Sequence, residues 1–372
     1  MSSQNHESMR RWLDARGIDE IDPGEFPESL KGLLAGKHMK KRMIYVGCTP
    51  GEKPLQLMSE VLKCVRSLVT DDRLSYSSRT AYPLLSFNMG RALDRDFSAA
   101  AILIGDDGQE VLYPGMRFPF VFASPGVGNP EGAMTTRIHN CSTMLGIGAD
   151  YVAPEEAAGI ARAWIEAEFD PYRDDGDIRL RRYLECVKFG LDAGRAGVDV
   201  LLRRPARAAK KLILFSDHRG YLVKEFLKGA QADSGYQLVD VGTSKGPKER
   251  CDYPLFAASA AWEMVSGSCE GSRAVGICGS GIGAAAAAKM WGVYGAMCTD
   301  EDKAAMARLK YDANLLTLPA GDGSPAAAER AVRIVDCFLS TGFDAEGAGI
   351  YRDKMLQKEQ EALRTIRERY NL

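Results

Sequence analysis

The stretch RAVGICGSGIGAAAAAKMW, residues 273–291, decides how the rest of the chain is read. An apolar run of strand length ends at Cys278 and enters a turn with glycines at 279, 281 and 283, and a compact alanine-rich helix is expected to follow. The same alternation surrounds it. KLILFS (211–216), YQLVDVG (236–242), VYGAMCT (293–299) and NLLTLPAG (314–321) are strand-like. Helical spacing follows the first of these, runs from Pro254 to Val265, and returns near 301–309. Two further helices are predicted, over 326–340 and from Tyr351 to Arg369. Short apolar strands alternating with helices predict a parallel sheet covered on both faces.

With 372 residues there is room for two domains, each with a buried core. The formal net charge of −2 gives no electrostatic case for nucleic acid or an anionic membrane. No apolar run approaches the length needed to span a bilayer, and the polar N-terminus lacks a secretory signal's apolar core. The nine scattered cysteines include no CxxC pair, which suggests neither a disulfide framework nor a zinc site. A reducing, cytoplasmic compartment is expected.

The first half reads as a second copy of the same unit. RMIYVG (42–47), AAAILIG (99–105), FPFVFAS (118–124) and TMLGIGAD (143–150) are strand-like, with helices expected over 54–69, 82–94 and 154–168. AYPLLSFNMGRAL (81–93) parallels DYPLFAASAAWEM (252–264), and RIHNCSTMLGIG (137–148) parallels RLKYDANLLTLPAG (308–321). The expected fold class is therefore α/β: two tandem Rossmann-like three-layer αβα units with parallel sheets, forming an intrachain pseudo-dimer. The expected divisions are an N-terminal extension over 1–40, a degenerate repeat over 41–184, a helical basic linker over 185–209, and the repeat with the cysteine loop over 210–372.

In such a sheet the ligand crevice lies at the carboxyl ends of the strands. Asp217 and His218 follow one strand and Cys278 ends another. Gly279, Gly281 and Gly283 let backbone N–H groups turn inward, suiting a phosphate or a developing oxyanion, and a following helix N-terminus would favour a thiolate. Taken singly, each residue also has a plain role. A cysteine ending a buried strand is usually apolar filler, and Asp217–His218 reads as a helix cap beside a surface imidazole. Gly279, Gly281 and Ala284, with Asp300 further on, also fit a relaxed dinucleotide fingerprint, although the loop follows the third strand of its unit rather than the first.

Several blocks in order, SDHRGYLVKEFL, VDVGT, DYP, ICGSGIG and DANLLTL, resemble the sugar-phosphate isomerase family of type B ribose-5-phosphate isomerases and galactose-6-phosphate isomerase subunits. The resemblance implies that Asp217 and His218 bind substrate, that Cys278 is the base, and that Ser280 helps hold the enediolate. In a second branch of that family a glutamate further along the loop replaces the cysteine. Here Ile282 or an alanine stands there, so only the cysteine version fits.

The family's ring-opening histidine belongs to an Arg-x-His-Asn block, which in this half has become Arg308, Leu309, Lys310 and Tyr311. The first half keeps it as Arg137, His139 and Asn140, while carrying Cys48 and Thr49 where Asp-His is expected and GDDGQE in place of the cysteine loop. Of the four histidines, His6 and His38 lie in the extension and the other two fall on motif positions. The resemblance implies one composite site, with His139 and Asn140 serving the Cys278 loop of the other repeat. Arg173 and Arg352 are the expected phosphate contacts from the two tails. The implied activity is aldose–ketose isomerisation of a phosphorylated sugar through an enediolate, with no metal or cofactor. A monomer or a homodimer of pseudo-dimers is expected. The alternatives are a non-catalytic sugar-phosphate-binding or regulatory protein and a dinucleotide-dependent oxidoreductase.

Overall fold

A computed structural model describes residues 26–34, 43–78, 80–125, 127–169, 178–197, 209–266 and 271–372. By packing, the chain forms two units, one of residues 1–195 with 361–372 and the other of residues 196–360. The described part of the expected linker begins as the end of a helix, Ile178–Ala196, whose inner face (Leu180, Tyr183, Leu184, Val187) is buried. Residues 198–208 lie outside the described residues.

The first unit holds β1 (Ile44–Cys48), β2 (Leu74–Ser77), β3 (Ala100–Gly105), β4 (Ala123–Ser124) and β5 (Met144–Gly148). They form one parallel sheet in the order β2-β1-β3-β5-β4. The second unit holds β6 (Lys211–Ser216), β7 (Gln237–Asp240), β8 (Arg273–Cys278), β9 (Gly295–Met297) and β10 (Leu315–Pro319), in the corresponding order β7-β6-β8-β10-β9. These strands are also parallel. The central strands are apolar along their length because helices cover both faces. Every residue of AAILIG in β3 is buried, as are all but the first of RAVGIC in β8. In both sheets the order reverses beside the first strand of the unit, at β1/β3 and β6/β8, which is where a doubly wound sheet opens its crevice.

The duplication shows in detail at one corner of each unit. The helix Pro130–Asn140 ends in a left-handed residue, Cys141 at φ 55°, and Glu301–Tyr311 ends in Asp312 at φ 53°. Arg137 donates from its guanidinium to the Ser142 carbonyl and lies 5.4 Å from the Trp164 ring centroid. Arg308 donates to the Ala313 carbonyl at 2.6 Å and lies 5.8 Å from the Phe338 centroid. The arginine of each RxHN-like block thus locks its helix end onto a late helix of the same unit. The next residues follow in step, so Lys310 and Tyr311 stand where His139 and Asn140 stand in the first unit.

The last turns of the final helix, Ala345–Tyr370, anchor in the first unit. Asp94 is 1% exposed; it accepts the Tyr370 hydroxyl at 2.8 Å and pairs with Arg369 at 3.4 Å.

Candidate active site

The crevice of the second unit is built by two neighbouring strands. Ser216 at the end of β6 pairs with Ile277 of β8, which leaves Asp217 and Cys278 as the next residue on each. Both are nearly buried, at 6% and 3% exposure. Asp217 Oδ1 accepts the backbone N–H of Arg219 at 2.9 Å and of Gly220 at 3.2 Å, fixing the turn into the helix Tyr221–Ala230. Gly220 permits this turn: a Cβ there would lie 2.4 Å from the Ile277 carbonyl oxygen. His218 is half-buried, with Nδ1 2.8 Å from the Cys251 carbonyl oxygen. A carbonyl only accepts, so this contact puts the hydrogen on Nδ1. The Cys251 N–H also approaches Nδ1, at a longer 3.4 Å.

The loop after Cys278 turns at Gly281, whose φ of +76° and approach to the Leu318 carbonyl carbon (2.9 Å from an added Cβ) both demand glycine. Ser280 is half-buried, and its hydroxyl accepts the Ile282 N–H at 3.3 Å. Gly283 lies under the Tyr253 ring, 2.6 Å from an added Cβ, which brings the DYP motif onto the cysteine loop. The compact helix expected from the alanine run is Gly283–Lys289, a short 3-10 helix. That removes the long helix N-terminus on which a dinucleotide pyrophosphate rests.

The expectation that a helix N-terminus would favour the thiolate is also corrected. Burial, and after it the Asp217 charge, push the Cys278 thiol up to about 11. The N–H groups of Ala284, Ser280 and Gly281 act in the opposite direction but do not prevail. At neutral pH the sulfur is therefore a thiol.

In the first unit the crevice has been rebuilt. The two sheet registers place Gly105 at the Cys278 position and Gly108, with φ +78°, at the Gly281 position. A Cβ on Gly105 would lie 2.2 Å from Glu110 Oε1, so the Glu110 carboxyl fills the space a cysteine side chain would take. Glu110 accepts the N–H of Asp106 at 2.9 Å and of Gln109 at 3.1 Å. Burial and the neighbouring Asp107 raise its pKa well above the usual carboxylate range. The register also moves one sequence-based correspondence by a residue. Cys48 matches Ser216, so Thr49 and Pro50 stand at the Asp-His position rather than Cys48 and Thr49.

Of the remaining expected site residues, His139 is exposed and Asn140 half-buried at the end of their helix. Arg352 lies 4.0 Å from the Tyr294 ring centroid and 3.6 Å from Asp312. Arg173 lies outside the described residues. Sequence reasoning passed over Arg219. Its side chain lies along Gly279, with Nε 3.2 Å and Cζ 3.3 Å from an added Cβ. The available signal was a cation directly after Asp-His in a strand-to-helix turn.

A family model described as Ribose/Galactose Isomerase matches residues 51–180 and again 212–355. A 4-deoxy-4-sulfo-D-erythrose isomerase from Clostridium sp. (strain MSTE9) is 34% identical over 42% of this chain and 96% of its own length. Ribose-5-phosphate isomerase B of Escherichia coli (strain K12) is 31% identical over 44% of this chain and 99% of its own. Among solved structures, the Clostridium thermocellum ribose-5-phosphate isomerase B is 33% identical, covering 41% of this chain and 98% of that one, with a TM-score of 0.37. Each of these relatives corresponds in length to a single repeat.

Proposed function

The chain belongs to the ribose/galactose isomerase family, and on that premise we propose that it interconverts the aldose and ketose forms of a phosphorylated sugar at one composite site shared by its two repeats. The observation that carries this reading is the pairing of Asp217 and Cys278 at adjacent strand ends of the second unit, above a loop rich in inward N–H groups. The first unit cannot offer the same chemistry, since Gly105 replaces the cysteine. It alone keeps a histidine at the end of the RIHN helix, where the second unit has Lys310. The losses are complementary, which is what one retained site requires.

In the proposed reaction His139 passes a proton to the ring oxygen of the cyclic sugar, the C1 hydroxyl gives up its proton to solvent, and the C1–O bond to the ring oxygen breaks to give the open aldehyde. The Cys278 thiol first loses its proton to solvent; the thiolate then takes the proton from C2, whose electrons form the C1–C2 double bond as the carbonyl π pair moves onto its oxygen. The resulting enediolate is held by N–H groups and the Ser280 hydroxyl of the Gly279–Gly283 loop, a well-placed donor being worth roughly 3–4 kcal/mol. The thiol then returns the proton to C1 as the O2 hydroxyl proton passes to O1, leaving the ketose. Substrate hydroxyls donating to Asp217 disperse its charge, easing the repulsion that together with burial holds the sulfur protonated. His218 and Asn140 contact the substrate, and Arg173 and Arg352 are proposed phosphate contacts. No helix of the described residues is long and apolar enough to cross a membrane, and a cytoplasmic setting is part of the proposal.

Coupled assays across tetrose, pentose and hexose phosphates test the reading. Turnover of at least one substrate, abolished in Cys278→Ala with folding unchanged, is expected. Binding of phosphosugars without turnover would instead mark a regulatory protein.

A further inference from the structure

The turn after β6 carries a cation that the reaction above does not use. Arg219 is exposed, its backbone N–H is tied to Asp217 at 2.9 Å, and its side chain runs along Gly279, the residue after Cys278. Among the described residues no carboxylate lies within ion-pair reach of that guanidinium, whereas Arg308, Arg333, Arg352 and Arg369 all have one. The neighbours on the loop are Asp217 and a thiol that must become an anion, so an anionic substrate entering here meets like charge unless a cation is close.

We propose that Arg219 grips the tetrahedral anionic end of the substrate, a phosphate or a sulfonate, and thereby sets the site's selectivity for anionic sugars. The proposal rests on the isomerase reading for the identity of the substrate but not for the binding itself. A planar guanidinium offers parallel N–H donors that match two oxygens of such a group, which an ammonium does not reproduce. Gly279 gives the side chain room: a Cβ there would lie 3.2 Å from Arg219 Cδ and Nε, so the arginine would have to give by a few tenths of an ångström. Arg219 acts beside the proposed tail contacts, of which Arg352 also stacks on Tyr294 and pairs with Asp312.

The test uses the full chain and two probes, inorganic phosphate and methanesulfonate, with binding followed by calorimetry and independent of turnover. Arg219→Gln is expected to weaken the preferred probe ten- to hundredfold, and Arg219→Lys to recover only part of the loss. Gly279→Ala, which presses on the Arg219 side chain, should weaken the same probe by less than Arg219→Gln does. Tighter phosphate binding by the wild type points to phosphosugars and tighter methanesulfonate binding to sulfosugars; Arg219 dependence of either supports the proposal. In kinetics, Arg219→Gln should raise KM for an anionic sugar by the same factor while kcat changes less than threefold, with an unchanged thermal midpoint. Binding of neither probe by the wild type, or equal binding by Arg219→Gln, would overturn it. Arg219-dependent probe binding without turnover of any sugar phosphate would leave the proposal standing and remove the isomerase reading alone.

Discussion

Replacing Asp217 by Asn should speed alkylation of Cys278. The amide keeps an acceptor oxygen for the Arg219 and Gly220 N–H groups, so the turn survives while the charge is lost. With the wild-type thiol at about 11, roughly one molecule in a thousand carries the thiolate at pH 8. Adjacent strands lie about 5 Å apart, and two like charges rooted on them repel by roughly 1–3 kcal/mol at an effective dielectric of about 20. Lifting that repulsion multiplies the thiolate population about ten- to hundredfold. The assay is iodoacetamide modification between pH 7 and 10, read by mass spectrometry of the peptide containing Cys278. Access of the reagent to the buried sulfur is common to both proteins and cancels in the ratio of rates. An equal or slower rate in Asp217→Asn would refute the claim that this carboxylate adds to burial in keeping the sulfur protonated.

His139→Gln should cost far more activity on sugars that cyclise than on a substrate too short to form a ring, as compared by kcat/KM on both; equal losses would remove the ring-opening role. Because folding raises the Glu110 pKa, wild-type stability is full below the unfolded carboxyl value and falls as pH rises through the folded one. Glu110→Gln should therefore gain in urea midpoint relative to wild type between pH 5 and pH 8, and a constant difference would contradict a protonated Glu110. Gly281→Ala, forced to φ +76°, should destabilise by about 1–3 kcal/mol in urea unfolding and reduce turnover with it. Tyr370→Phe leaves an Asp94 oxygen short of a donor and should cost about 1–3 kcal/mol by the same measurement.

The two sheets and the Cys278 loop were legible because their signals are local. Apolar runs such as KLILFS and AAAILIG become central strands, and the glycines that must turn are visible in sequence. Edge elements were harder. LSYS at 74–77 is mostly polar and half-exposed, so β2 carries no apolar signature. Of FPFVFAS only Ala123–Ser124 forms a strand, because its aromatics are buried as core at a sheet edge without continuous pairing. The chemical state of Cys278 was misjudged since it depends on burial and on a charge from a strand 61 positions earlier in sequence. Arg219 was missed for a related reason: its contact with Gly279 exists only once β6 and β8 lie side by side.

Labelling the chain with 15N-histidine gives ring signals from four imidazoles, of which His139 belongs to one repeat and His218 to the other. Titration with a phosphorylated hydroxamate that mimics the enediolate should shift both, with a single Kd and saturation at one ligand per chain. A response at His218 with His139 unmoved would contradict a site that draws on both copies.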